Sequence, residues 1–279
     1  MPEDISVRAD KIMRLTGLYG ETNRAAIENR LRLIDFWKIE SGSKILEIGC
    51  GQGETTAALA YTVGDRGFVY GVDVAGPGYG SPETVGEARE RLMTSGLGER
   101  INIDLGVNIL SDSFDFEDNS FDYIILSHCL WYLSSQKELH DILFKTRRWG
   151  LNLLIAEWNP AITEMSQYSH FSAAEIQAIC EAYPCSDHFN IHTMFYPNEI
   201  ETAAASCGWD IVNTADITCP DNTDAVREIE IVRELFPQKI SALKAMPQKL
   251  KSLLLSRIYT LSAETAASMS VYAIRAERL

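Results

Sequence analysis

A doubly wound, mostly parallel α/β sheet is the fold class this sequence predicts, and three observations predict it. From residue 44 onward, short apolar segments alternate with helical ones. The segments 121–127 and 151–156 are apolar enough to be covered on both faces, as central parallel strands are. An apolar stretch at 45–48 breaks into Gly49, Gly51 and Gly53, and a helical run resumes at Glu54. Glycine at alternate positions lets a backbone approach a ligand and take positive φ at little steric cost. The helix that follows offers free amides at its start.

In chain order, residues 5–38 read as two helices. Ile12, Leu15 and Leu18 recur at helical spacing, Gly20 breaks the run, and Thr22 is placed to cap a second helix. That helix presents Ile27, Leu31, Ile34 and Trp37 on one face. Strands are expected near 44–49, 67–73, 101–106, 121–127, 151–157, 209–217 and 268–276, with helices near 54–63, 82–95, 136–148 and 197–207. Pro197 opens the last of these helices and Gly208 follows its end. Two connections, 158–196 and 218–267, exceed a minimal fold. The second reads as helices around 224–236 and 238–262, interrupted by Pro237 and Pro247. If the fifth and sixth strands run parallel to the first, both insertions leave from carboxyl ends of strands, the edge where open α/β sheets bind ligands. The expected organisation is therefore an N-terminal helical lid over 1–40, a core over 41–157, and a cap insertion over 158–196. Core then resumes over 197–217, a helical cap insertion fills 218–267, and 268–279 supplies the last core strand.

Composition bounds the partners. The 279 residues are 46% hydrophobic, enough for a substantial core. The formal charge of −14, without a basic run, argues against nucleic acid, whose affinity rests on clustered Lys and Arg. No stretch approaches the roughly 18 apolar residues of a membrane span, and the acidic start lacks the pattern of a secretion signal. The expectation is a soluble, cytoplasmic protein whose six scattered cysteines are reduced and mainly structural.

Two cofactor classes compete for the glycine turn. A dinucleotide fingerprint wants a third small residue at the position Glu54 occupies, and a carboxylate there opposes a pyrophosphate on the helix N-terminus. The alternative runs Glu47-Ile48-Gly49-Cys50-Gly51-Gln52-Gly53, with Asp73 closing the second strand 20 positions after Gly53. This pattern resembles the first motif of the class I S-adenosylmethionine-dependent methyltransferases. Residues 116–122 resemble that family's lead into strand four, and the likeness covers roughly 40–157, although its usual Gly-Gly before strand five is here Arg147 to Gly150.

The resemblance implies a Rossmann-like sheet of seven strands with the last antiparallel, and S-adenosylmethionine as cofactor. It implies that Gly49, Cys50, Gly51 and Gly53 approach the amino-acid end of the cofactor and that Glu47 orients that loop or the ammonium. Asp73 is implied to bind the ribose hydroxyls, with Val74 beside it. Asn108 stands where the family has an acidic residue near the adenine amino group, followed by Ile109, and Ser127 lies beside the methionyl portion.

Beyond the motif, His128 and Glu157 follow strands four and five and are the catalytic candidates. Tyr19, Trp131, Tyr132, Trp158 and His170 are candidates for the acceptor pocket, the aromatics as walls around a cationic centre or the substrate. Cys185, His188 and His192 lack a further ligand at zinc spacing, so no metal is expected. Asn159 and Pro160 lack the second proline and aromatic of base-flipping amino methyltransferases. The expected activity is in-line methyl transfer to a small molecule or short peptide, and the stripe Leu250, Leu253, Leu254 and Ile258 reads as cap core or as the surface of a homodimer. The alternatives are a cyclopropane-synthase-like lipid modifier, a non-catalytic cofactor-binding homologue and, last, a nicotinamide oxidoreductase.

Overall fold

The computed structural model describes residues 3–184, 190–220 and 223–279. Two helices come first, α1 (Ile5–Thr16) and α2 (Glu21–Trp37). Asp4 caps α1 by accepting the Ser6 amide at 2.8 Å. Thr22 does not cap α2, contrary to expectation. Gly20, at φ 94°, turns the chain earlier, and its carbonyl accepts the Arg24 amide at 3.1 Å, so Thr22 already lies within the first turn.

Alternation then proceeds as expected. β1 (Lys44–Ile48) leads to α3 (Glu54–Val63), β2 (Phe68–Asp73), α4 (Val85–Met93) and β3 (Ile101–Leu105). β4 (Phe121–Ser127), α5 (Gln136–Thr146) and β5 (Gly150–Trp158) follow. After them come α6 (Tyr168–Glu181), α7 (Pro197–Ser206), β6 (Trp209–Ile217), α8 (Thr223–Ala242), α9 (Gln248–Thr260) and β7 (Val271–Arg278).

The strands form one sheet of order β3-β2-β1-β4-β5-β7-β6. β1 to β5 pair in parallel, and β7 runs antiparallel to both β5 and β6, which leaves β6 parallel to the rest. The order reverses direction between β1 and β4, which places the ligand crevice of such a sheet over the carboxyl ends of those two strands. Residues alternate between faces along each strand. Ile45, Val69 and Ile125 join α1, α2 and α3 in one core. Leu46, Val72, Ile124 and Leu126 join α5 and α7 in the other.

Both insertions leave from carboxyl ends of strands, because β5 and β6 share the direction of β1. Their helices α6, α8 and α9 share a third core built from Ile176, Ile229, Val232, Phe236, Leu254 and Ile258. Helix α6 was not expected. Ser172 and Gln177 are buried alongside its apolar residues, which blurs the apolar period. Nor does Pro237 end a helix: α8 runs through it to Ala242. A proline inside a helix costs about 3 kcal/mol or more, and the burial of Phe236 and Ile240 on either side offsets that cost.

Trp37 joins α2 to the last strand. It is fully buried, and its indole N–H donates to the Ile274 carbonyl at 3.0 Å. Trp37→Phe, which keeps an aromatic ring but orphans that carbonyl, is expected to cost about 1–3 kcal/mol in urea unfolding, and Trp37→Ala about 3–5 kcal/mol. A negligible loss in Trp37→Phe would mean that the indole N–H contributes nothing.

Candidate functional site

The loop after β1 is shaped by backbone bonds that only a glycine-rich segment can make. Gly49, Gly51 and Gly53 all have positive φ (75°, 51° and 84°). The Gly49 and Cys50 amides both donate to the Val72 carbonyl, at 2.8 and 3.2 Å. A Cβ on Gly49 would stand 2.5 Å from the Cys129 Cβ, so β1 and the turn after β4 touch only because the side chain is missing. Gly51 differs, since a Cβ there meets nothing within 4 Å. Its conformation, not crowding by protein, calls for glycine, and the space above it is open to a ligand. The Cys50 side chain packs back towards Gly71 on β2, so Cys50 faces the crevice through its backbone only.

Asp73 lies across from this loop. One oxygen accepts the Gly51 amide at 2.7 Å and the other the Ala75 amide at 2.8 Å. An ionised carboxylate accepts about four bonds, so capacity remains for two further donors. Val74 is exposed. Asn108 is exposed too, and its Oδ1 accepts the Leu110 amide at 2.8 Å, which leaves its amide nitrogen as the free group. Ile109 is buried in the core shared with α5 and α7.

Glu47 is buried at the end of β1 and accepts from Thr56 Oγ1 at 2.6 Å. Loss of solvation pushes its carboxyl up to about 8, against smaller opposing effects from the Thr56 bond and the Arg30 charge. Glu157, the catalytic candidate on β5, is buried as well and pushed up to about 7 by the same cause. Its oxygens accept the Leu130, Trp131 and Trp158 amides at 2.9, 3.3 and 2.9 Å. A carboxyl group held by three backbone amides is a clamp on the turn after β4, not a free base, and that corrects its expected role.

His128 follows β4 with φ 54°, a conformation uncommon outside glycine and found where surroundings enforce it. Its Nδ1 lies 3.1 Å from Ser127 Oγ and its Nε2 3.2 Å from Arg30 Nη1. A guanidinium only donates, so Nε2 accepts and Nδ1 carries the proton. Burial and the Arg30 charge hold the ring's pKa well below the ordinary range, so it stays neutral. His128 is therefore in base form, with its lone pair engaged.

The aromatic candidates divide. Trp131 is core: its indole donates to the Phe195 carbonyl at 3.4 Å, and its own carbonyl accepts the His192 amide at 2.7 Å. His170 is fully buried, accepts the Met269 amide at Nδ1 at 3.0 Å, and is pushed down to about 3 by burial. Neither is a wall of an open pocket, because both are packed to satisfy backbone groups. Trp158 lies edge-on to both His128 and His170, with ring centroids 5.1 Å apart in each case. Tyr132 is 51% exposed and within electrostatic range of Tyr79, Glu157 and Glu228 of α8. Tyr19 is 75% exposed in the turn after α1, and no side-chain bond joins it to the others. His192 pairs with Glu181 at 2.9 Å, while Cys185 and His188 lie outside the described residues.

Three residues that sequence reasoning passed over belong to this cluster. Arg30 carried a signal, being a cation on the stripe of Ile27, Leu31 and Ile34 that α2 buries. Thr56, bonded to Glu47, and Glu228, which accepts from Gln177 at 2.6 Å, carried none.

The folded protein holds the Glu47 proton more tightly than the unfolded chain, whose carboxyl titrates near 4.5. Stability of the ligand-free protein should therefore fall as pH rises from about 4.5 to about 8. Glu47→Gln is expected to flatten that decline by a few kcal/mol in urea titrations at pH 5 and pH 8. An unchanged slope would mean that Glu47 is already ionised in the folded state.

Comparisons agree with this geometry. The family described as a methyltransferase domain matches residues 45–149. A solved cyclopropane-fatty-acyl-phospholipid synthase-like protein from Lactobacillus casei is 30% identical, covering 98% of this chain and 99% of that one, with a TM-score of 0.83. The methyltransferase phomM' of Diaporthe leptostromiformis is 31% identical over 158 residues, 50% of this chain and 41% of that protein. A ubiquinone/menaquinone biosynthesis C-methyltransferase of Vibrio cholerae is 28% identical over 131 residues, 47% of each chain. The chain thus spans about half the length of the curated relatives it matches. With its seven-stranded sheet, its glycine loop after β1 and a full-length relative of this kind, the chain belongs to the class I S-adenosylmethionine-dependent methyltransferases.

Proposed function

We propose that this protein transfers a methyl group from S-adenosylmethionine to a small molecule or short peptide enclosed beneath the helices α6, α8 and α9. The observation that carries the reading is the Gly51 position, where the loop backbone is fixed by Asp73 and opens onto unfilled space at the sheet's switch point. When bound there, S-adenosylmethionine supplies a methyl group on a sulfonium, which needs no further activation to be displaced. The chain's task is then alignment and exclusion of water, and positioning can contribute roughly 7–11 kcal/mol.

Individual residues have distinct work in this reading. Asp73 has acceptor capacity left for two ribose hydroxyls while it holds the loop. Asn108 offers its amide N–H₂ to the adenine, and Ile109 anchors that loop in the core. Ser127 lies at the methionyl end. His128, neutral and at the floor of the crevice, is the group able to take a proton from an acceptor hydroxyl or amine once Arg30 releases its Nε2. Glu157 positions the turn that carries His128 and Tyr132.

The enclosed-acceptor reading draws support from the bonds between cap and crevice. Tyr79 of the loop after β2 donates to Asn190 Oδ1 at 3.3 Å. The Trp131 carbonyl accepts the His192 and Thr193 amides at 2.7 and 3.2 Å. A net charge of −14 suits a neutral or cationic acceptor.

One observation favours a second reading. A relative that is 30% identical over 98% of this chain is described as cyclopropane-fatty-acyl-phospholipid synthase-like, and so a lipid-modifying use of the same sulfonium is the alternative. No helix among the described residues is long and apolar enough to cross a membrane. Sedimentation with phosphatidylglycerol and phosphatidylcholine vesicles separates the two readings, since only a lipid modifier should co-sediment.

Calorimetry with S-adenosylmethionine tests the cofactor site. Asp73→Ala should weaken binding by roughly 1–3 kcal/mol, and Asp73→Asn, which keeps an acceptor for Gly51, by less. Unchanged affinity in the Ala variant would remove Asp73 from the site. A screen of amines, phenols and short peptides with methyl-labelled donor then tests the acceptor class, and label appearing only in lipid would sink the enclosed-acceptor reading.

A further inference from the structure

Three side chains between the crevice and the cap combine two properties that a convex surface does not combine. Tyr79 and Tyr132 each keep 51% of their surface accessible, yet loss of solvation pushes both phenols up. Glu228 is likewise partly exposed, and the same cause raises its carboxyl. A group that is accessible while surrounded by protein lines a hollow. The Asp73 charge acts on Tyr79, and the Glu228 charge acts on both tyrosines. The hollow therefore runs from the exit of β2, past the turn after β4, to helix α8. Its wall is tied to the cap where the Tyr79 hydroxyl donates to Asn190 Oδ1 at 3.3 Å.

Glu228 is the polar group of that hollow that the fold leaves half used. It lies three residues after Ala225 and four before Val232, on the flank of the stripe that α8 buries. Gln177 of α6, itself buried, donates to its Oε2 at 2.6 Å. A second helix thus fixes the carboxyl, while Oε1 has no donor among the described residues. Arg227, next to it in sequence, is exposed and makes no hydrogen bond to it. We propose that Glu228, held by Gln177, takes a cationic nitrogen of the acceptor (an ammonium or guanidinium) through its free oxygen, between the walls of Tyr79 and Tyr132. Opposite charge offsets the cost of holding a carboxylate out of water, and phenol faces attract a cation. A protonated nitrogen has no lone pair, so the atom that takes the methyl group is a different one, turned towards the donor and His128. The acceptor is then a basic molecule with a separate nucleophile, such as an amino alcohol, an aminoalkyl phenol or a diamine. The inference rests on the enclosed-acceptor reading above and narrows it.

Paired probes test this on the full chain saturated with S-adenosylhomocysteine. Tyramine and 4-ethylphenol differ only in the ammonium, and so do 4-aminobutan-1-ol and butan-1-ol. Each ammonium compound should bind roughly 10- to 100-fold more tightly than its neutral partner. In Glu228→Gln, which keeps an acceptor for Gln177, the members of each pair should bind alike, with affinity for S-adenosylhomocysteine unchanged. Where a probe takes label from the methyl donor, the same variant should raise KM and leave kcat nearly unchanged. Equal binding within both pairs, a preference that survives in Glu228→Gln, or no binding by either ammonium compound overturns the proposal. The comparison on the unmodified chain needs no variant, and Glu228→Asp, which keeps the charge on a shorter arm, should retain part of the preference if Gln proves unstable. Label appearing only in lipid would instead overturn the enclosed-acceptor reading, and failure to bind S-adenosylhomocysteine at all would overturn the methyl-donor reading.

Discussion

The geometry of the whole crevice depends on one bridge, the carboxylate of Asp73 between the Gly51 and Ala75 amides. Gly51 lies on the loop that leaves β1 and Ala75 on the turn that leaves β2, so one side chain sets the spacing between two strand exits. The amides of Gly49 and Cys50 fix the other side of the same loop on Val72. With both ends tied to β2, the loop has little freedom left, and α3 starts where Gly53 turns it. Charge-assisted bonds to backbone amides are among the stronger bonds available here. The fixed loop places one backbone amide edge, open space and residual carboxylate capacity side by side, which is what a ribose and its attached chain require.

Around that bridge the protein buries ionisable groups at unusual density. Glu47, Glu157, His128 and Arg30 come from β1, β5, the end of β4 and α2. Burial pushes both carboxyls towards their neutral forms and keeps the histidine neutral. The only member that cannot discharge by losing a proton is the guanidinium. The guanidinium therefore keeps its charge in the ligand-free crevice. Two buried acids with raised values form a site preloaded with protons, and a cationic centre bound beside them would favour their ionised forms and release protons.

How much of this was legible in the sequence depends on whether the cause was local. The turn at Gly49, Gly51 and Gly53 could be read because positive φ maps directly onto glycine. The strands could be read because burial on one or both faces leaves a period of two or an unbroken apolar run. Pro237 misled because a local penalty was outweighed by burial of Phe236 and Ile240, which no local pattern reports. Trp131 and Tyr132 are adjacent and looked equivalent, yet the 3-10 turn at Leu130–Tyr132 sends one into the core and leaves the other half exposed. Glu157 looked like a base because it follows a central strand. Its three amide partners come from residues 130, 131 and 158, and two of those depend on how β4 ends beside it.

The contact between Arg30 and His128 was the least legible feature, and it bears most on mechanism. Sequence reading expected the helices before the first strand to form a lid, and the apolar stripe of α2 packs against the last strand, where the Trp37 indole donates to the Ile274 carbonyl. That packing brings Arg30 of the stripe to the end of β4, within 3.2 Å of His128 Nε2. Because Nε2 of His128 accepts from the guanidinium, the histidine's lone pair is available to an acceptor only after that donor turns elsewhere.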